Sequence, residues 1–487
     1  TAKPLTMNDG PQGFNPYTDP ALAGTSTQFP SLLTVAASFD PETSRQYAAA
    51  IVEEFVGKGS NVLLGPDLEI TRVASTGRSF ETLSGEDPFL GSQLVQPFVQ
   101  AVQSKGIIAT IKHWLDNNQE IYRQTMNVEV GDRAQHEIYM PVFKAAFDAG
   151  AAAVMCSYNK VYGEHTCQNS RLLKDLLRRD LGFQGFVMSD WGATHNATAS
   201  VLGGLDVEMP TGKYVKDISA VFWTNDKLEP AVDEMATNVL SSMHYVGQFD
   251  GRFPIEGMLP KYGAIDSDAT SDAHRLVART VIEDSAVLLK NSNDALPLQT
   301  KGLKIAMVGH FCNETEDKKY KQGSVWSGGG SGYVFTDKGT TPLQGVKAHI
   351  KDAASIEFSK DASAAAAADV AVICVAAHGE EGWDRANFSL PEAAELAAGV
   401  RKTNSKAKLV VLAAVPGAVT TEWLEGVDAA LLMFMPGEQV GPAVARLLTG
   451  EAQPSGRLPI SLPKQDEKRF TTKQYPGECP GKQKRCE

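Results

Sequence analysis

Apolar and polar positions along this chain fall into two alternating rhythms. Short apolar runs at 5–7, 32–36, 61–64, 107–111, 152–156, 185–188 and 205–208 have the length of buried strands. Amphipathic stretches separate them. Between 42 and 56, Tyr47, Ile51, Val52 and Phe55 recur at helical spacing, and 171–181 reads as a second helix closed by Gly182 at a C-cap position. Repeated βα units predict a parallel sheet, and a series this long predicts a (β/α)8-like barrel. About seven strands are counted where eight complete the form, so the barrel is either incomplete or begins before Thr1.

Residues 250–265, rich in Gly and Pro, interrupt the series and read as a linker. A helical pattern over 272–290 then opens a second series, with strands predicted at 304–308, 370–376, 409–414 and 430–434 and helices at 391–403 and 439–448. This pattern predicts an α/β sandwich domain whose mostly parallel sheet carries helices on both faces. The expected organisation is a barrel-like domain over 1–249, a linker over 250–271, the sandwich over 272–470 and a polar tail over 471–487.

At 487 residues the chain exceeds what one core can organise, in keeping with that division. A net charge of −12 and a pI near 5.4 repel phosphate, which argues against nucleic acid and anionic membranes and for a neutral ligand. The most hydrophobic window, 364–377, is broken by Asp369 and is too short to span a bilayer. Cys156 with Cys167 and Cys479 with Cys486 are spaced to close small loops, which would imply an oxidising compartment; free thiols are the alternative, and neither pair has zinc-site spacing. Sequons at Asn196, Asn313 and Asn387 agree with secretion. A start at Thr1 without Met suggests a processed or trimmed chain.

The chemistry gathers at strand ends. The run 185–189 delivers Asp190 and Trp191 at its tip, where a barrel presents catalytic groups; equally, Asp190 could cap the helix that follows. Asn8 and Asp9, Asp67, Lys112 and His113, Ser157 to Asn159, and Glu208 occupy equivalent positions and would face the same mouth. The loop after 72 adds Arg78, Glu81, Glu86 and Asp87, and the segment after His113 adds Gln119, Glu120 and Arg123. In the second series, ligands are expected beyond the strand ends, where His378 to Arg385 reads HGEEGWDR. The Gly-rich loop 323–333 lacks the Lys-Ser/Thr of a phosphate cradle. A barrel metal hydrolase using His113, His165, His195 and Asp190 is disfavoured, because the histidines lack paired helical spacing and Lys112 would repel a cation. No cofactor or metal is expected.

These blocks, taken together, resemble the glycoside hydrolase family three β-glucosidases and exo-glucanases. The resemblance rests on NDGPQG at 8–13, GRSFE at 77–81 with Asp87-Pro88, Lys112-His113 with Gln119-Glu120 and Arg123, and Ser157-Tyr158-Asn159. It continues through Ser189-Asp190-Trp191, 287–291 with 296–298, GWDR at 382–385 with Leu390-Pro391, and 454–459. It implies Asp190 as nucleophile and Glu381 as general acid/base, with Glu380 the neighbouring alternative and His378 a further one. It also implies that Asp9, Arg78, Lys112, His113, Arg123, Tyr158 and Trp191 hold the non-reducing-end sugar. Trp326 and Trp383 are candidates for the leaving-group side, since a sugar's apolar face calls for an indole.

The resemblance further implies a retaining, exo-acting enzyme that releases β-D-glucose from β-glucosides or short β-glucans, secreted and without a cofactor. In such an enzyme the two carboxyls stand about 5 to 5.5 Å apart, with Asp190 ionised and Glu381 raised in pKa. A β-xylosidase or bifunctional relative, a phosphorylase, and an inactive sugar-binding relative are the alternatives. The hexosaminidase branch fits poorly, because its acid is an Asp-His pair in a barrel loop. Asn118 departs from the Glu of many relatives, and the family's fibronectin-like third domain is not present in this stretch.

Overall fold

The computed structural model describes residues 4–16, 20–216, 218–250, 265–315 and 323–465. The first half builds one all-parallel sheet in chain order: Met7–Asp9, Val62–Leu64, Ile108–Trp114, Ala153–Cys156 and Phe186–Ser189. Val207 joins next to Met188 through a single parallel bridge. Helices Pro41–Lys58, Pro88–Gln103, Met140–Asp148 and Arg171–Asp180 form the crossovers. Alternation along the strands separates two packings. Leu63, Ala109, Val154 and Val187 join the large core that includes these helices. Val62, Leu64, Ile108, Ala153, Met155, Phe186 and Met188 pack instead with one another and with Met243, as the inward face of a barrel-like sheet does.

The second half builds a six-stranded sheet ordered Ser355–Ser359, Lys304–Val308, Val370–Ala376, Lys408–Val415, Ala429–Phe434 and Val287–Asn291. All neighbours are parallel except the last pair. Ala371, Ile373 and Val375 pack toward helix Pro391–Thr403, while Val370, Val372 and Cys374 pack toward Pro342–His349 and Val440–Thr449. Both faces are thus covered, as near-continuous apolar strands require.

Three expected elements differ. The apolar run at 32–36 is a helix, Leu32–Ser38, because Ser31 caps it by accepting the Thr34 amide at 3.3 Å. A short, wholly buried apolar run carries no periodicity to distinguish strand from helix. The expected strand at 205–208 is reduced to the Val207 bridge. The expected helix at 272–290 ends at Ser285, and Val287–Asn291 turns back as the antiparallel edge. Strand Ser355–Ser359, too polar to stand out, was not anticipated.

Disulfides join Cys156 to Cys167, as expected, and Cys312 to Cys374. Cys479, Cys486 and the polar tail lie outside the described residues, as does most of the 250–265 stretch. Ser31 also ties the two halves together, since its hydroxyl donates to the Phe434 carbonyl at 3.1 Å. Ser31→Ala is expected to cost about 1 kcal/mol from the cap alone, read as a lower urea midpoint; an unchanged midpoint would contradict this role.

Candidate active site

The strand tips of the first sheet converge on one polar cleft. Phe186–Ser189 ends at Asp190, whose Oδ1 accepts the Trp191 amide at 2.7 Å and whose Oδ2 lies 3.7 Å from His113 Nε2. Burial, with the Asp190 charge nearby, pushes the Tyr158 phenol's pKa up. Asp190 does not cap the next helix; Asn196 does, accepting the Ala199 amide at 2.9 Å. Glu208 plays no part in the cleft's charge pairs. It accepts the amides of Tyr214 and Val215 and so holds its own loop.

Lys112 and His113 emerge from Ile108–Trp114, both buried. Lys112 Nζ lies 3.1 Å from Asp9 Oδ1. Burial raises Asp9 to a pKa of about 6 against the pull of Lys112, with Glu381 adding to the rise. His113 Nδ1 stands 3.4 Å from both Asp67 and Glu69. Burial and Arg78 oppose its charge, yet Asp67, with Glu69 beside it, prevails and lifts it to about 9. Burial and Asp67 raise Glu69 to about 8, whereas His113 outweighs burial at Asp67 and lowers it. An imidazolium therefore faces the Asp190 side chain at neutral pH.

The second carboxylate comes from the other domain. Glu381 Oε1 lies 2.9 Å from Arg123 Nη2 and 3.5 Å from Arg78 Nη1, and Oε2 accepts the Ser331 amide at 2.8 Å. Each guanidinium is anchored in turn. Arg78 makes a two-point pair with buried Glu81 at 2.9 and 2.6 Å, and Arg123 reaches Glu120 at 2.8 Å while lying over the Tyr158 ring. Glu380, by contrast, lies 3.7 Å from His378.

This clamp corrects the expected protonation of Glu381. Burial alone would raise its pKa, but Arg78, Arg123 and the Ser331 amide outweigh it and hold the carboxyl well below its ordinary range. The sequence marked both arginines as sugar ligands; that they also converge on Glu381 needed the tertiary structure.

Trp326 is a second correction. It is 2% exposed and belongs to the second domain's core, where Gly339 packs against its ring, so it offers no face to the leaving-group side. Trp191 and Trp383 are open at 38% and 71% exposed. From the sequence, Asp67, Glu81 and Glu120 are placed about the mouth without a specific role, and Glu69 and Ser331 are not singled out. The i,i+3 spacing of Arg78 with Glu81 and of Glu120 with Arg123 is a usable signal for two of them. A backbone donor such as Ser331 leaves none.

Among the described residues, the group close enough to hold a cation is Asp67, Glu69 and His113. It is not the foursome weighed from sequence. His165 and His195 stack on each other at 3.6 Å, and burial plus His195 lowers His165 to about 4.

A barrel-like parallel sheet and a mostly parallel sandwich, with carboxylates, arginines and exposed indoles where they meet, are the architecture of a glycoside hydrolase. The chain belongs to glycosyl hydrolase family 3: residues 20–242 match the family's N-terminal domain and 286–485 its C-terminal domain. It is 32% identical to probable β-glucosidase L of Aspergillus terreus over 96% of this chain and 67% of that one. The structure is similar to β-glucosidase D2-BGL of Chaetomella raphigera (TM-score 0.86, 28% identity, 95% and 68% of the chains). It is also similar to β-glucosidase 3B of Thermotoga neapolitana in complex with α-D-glucose (TM-score 0.81, 28% identity, 97% and 70%). The chain spans about two thirds of the length of the curated relatives it matches.

Removing one guanidinium should free the clamped carboxyl. In Arg123→Ala, a carboxyl-carbon NMR titration of Glu381 is expected to shift to higher pH, since a lost positive charge disfavours the ionised form; an unmoved titration would show that Arg123 does not set it.

Proposed function

We propose that this chain is a retaining, exo-acting β-glucosidase in which Asp190 is the nucleophile and Glu381 the general acid/base. The observation that carries the reading is Glu381, a second-domain carboxylate paired with Arg78 and Arg123 of the domain that carries Asp190. Family membership and the β-glucosidases among its relatives support the substrate class.

In the first half-reaction, Asp190 attacks the anomeric carbon, the glycosidic C–O bond breaks, and Glu381 gives its proton to the departing oxygen. In the second, Glu381 takes a proton from water as the hydroxide oxygen displaces the Asp190 ester, releasing glucose with its β configuration. The ionised Glu381 of the unliganded protein suits the second half. Its proton for the first is taken up as sugar enters, when the arginines exchange contacts with the carboxylate for contacts with hydroxyls. Asp9 with Lys112, and His113 with Tyr158, are hydroxyl partners of the bound sugar, and Trp191 and Trp383 stack on its apolar faces.

The proposed domain limits remain 1–249, 250–271, 272–470 and 471–487. Two disulfides and exposed sequon asparagines Asn196, Asn313 and Asn387 support a secreted protein. No helix among the described residues is long and apolar enough to cross a membrane.

Asp190→Ala is expected to lower kcat on an aryl β-glucoside by about 10⁴-fold or more with the fold intact; near-normal turnover would remove Asp190 from the mechanism. Glu381→Ala should spare activated leaving groups and regain turnover with azide, whereas Glu380→Ala should not. The reverse pattern would reassign the acid/base. Assayed in parallel, an aryl β-xyloside turned over faster than the glucoside would change the substrate, and no turnover of either would make the chain a sugar-binding relative.

A further inference from the structure

Three residues beyond Glu381, a second carboxylate crosses between the domains. Asp384 accepts three backbone amides from the loops of the first domain: Gly77 at 3.2 Å and Glu120 at 3.0 Å on Oδ1, and Ile121 at 2.7 Å on Oδ2. The exchange is reciprocal. Glu120, whose amide Asp384 holds, returns its own Oε2 to the Gly382 amide at 2.6 Å, on the residue adjoining Glu381. The Arg385 amide adds a bond to the Ser75 carbonyl at 2.8 Å. At Gly77 the two loops touch so closely that a Cβ would stand 1.9 Å from the Trp383 carbonyl oxygen and 2.2 Å from that of Glu380.

We infer that Asp384 is a positioning residue for the proton-transfer step, fixing the Glu381 loop against the loops that carry Arg78 and Arg123. Its oxygens accept three peptide donors of the opposite domain, and charge-assisted bonds of this kind are about twice as strong as neutral ones. Asparagine would keep one acceptor and turn an NH2 group toward an amide donor, so the loop would lose its register with the clamp while the fold of each domain persists. Glu381 would then stand off its target, and a general acid is sensitive to small displacements.

This inference rests on the reading of Glu381 as acid/base, and the test separates the two. Leaving-group dependence of kcat/KM is measured for Asp384→Asn, Asp384→Glu and Glu381→Ala, with circular dichroism on each. For Asp384→Asn, kcat/KM on an alkyl β-glucoside should fall about 100-fold, the scale of a lost general acid. On a dinitrophenyl β-glucoside it should stay within about threefold, with azide raising kcat by intercepting the Asp190 ester as glucosyl azide. A structural defect alone would depress both substrates alike. Asp384→Glu, which keeps the charge on a longer stem, should show the same selectivity at smaller size, and it decides the matter should the asparagine variant fail to fold. Equal losses on both substrates, or none, would overturn the inference. If Glu381→Ala itself lacks leaving-group selectivity, the acid/base reading falls; if it shows selectivity and both Asp384 variants lack it, only the positioning role falls.

Discussion

Glu381 and the two guanidiniums that grip it arrive from different domains, and their meeting joins the two walls of the cleft. Two half-buried or buried arginines against one carboxylate would be an expensive arrangement if any charge stood alone. None does, because each arginine has a second acid of its own, Glu81 for Arg78 and Glu120 for Arg123. The result is an alternating chain of charges, Glu81, Arg78, Glu381, Arg123, Glu120, running from one barrel loop through the sandwich domain to the next barrel loop. Breaking one link in a chain of this sort leaves an uncompensated charge, a loss of about 3–5 kcal/mol for a fully buried pair.

The opposite pole of the cleft is built on the same principle with one domain's residues. Asp190 receives a peptide amide from Trp191 and faces an imidazolium that Asp67 keeps charged. One carboxylate is therefore prepared by a rigid, buried group behind it. The other is held by two guanidiniums, each anchored to an acid of its own, and by the Ser331 amide. That asymmetry is what the proposed roles would require, since an acid/base must change protonation in each turnover and a nucleophile need not.

Much of this was legible in the sequence where residue type and register carry the message. Parallel strands delivering Asp9, Lys112, His113 and Asp190 to one mouth follow from apolar runs that end abruptly in polar groups. The sandwich strands at 304–308 and 370–376 match their predicted bounds because each is a short apolar run rich in Val and Ile or Met that begins at or just after a polar residue. The run at 32–36 failed because an all-buried helix and an all-buried strand look alike, and the deciding atom was the Ser31 hydroxyl one residue earlier. Trp326 failed because an indole in a glycine-rich loop can fold inward as easily as outward. The ionisation of Glu381 could not be read at all, since it depends on contacts with residues some 260 to 300 positions away in the chain.

The most direct test is a crystal structure of the enzyme stalled as its glycosyl-enzyme by a fluorinated β-glucoside. The expected result is a covalent bond from the anomeric carbon to Asp190, with the Glu381 carboxyl about 5 to 5.5 Å from the Asp190 carboxyl and still supported by the Arg78 and Arg123 loops. Sugar attached to another side chain, or Glu381 turned out of the cleft in the trapped state, would contradict the two-domain mechanism.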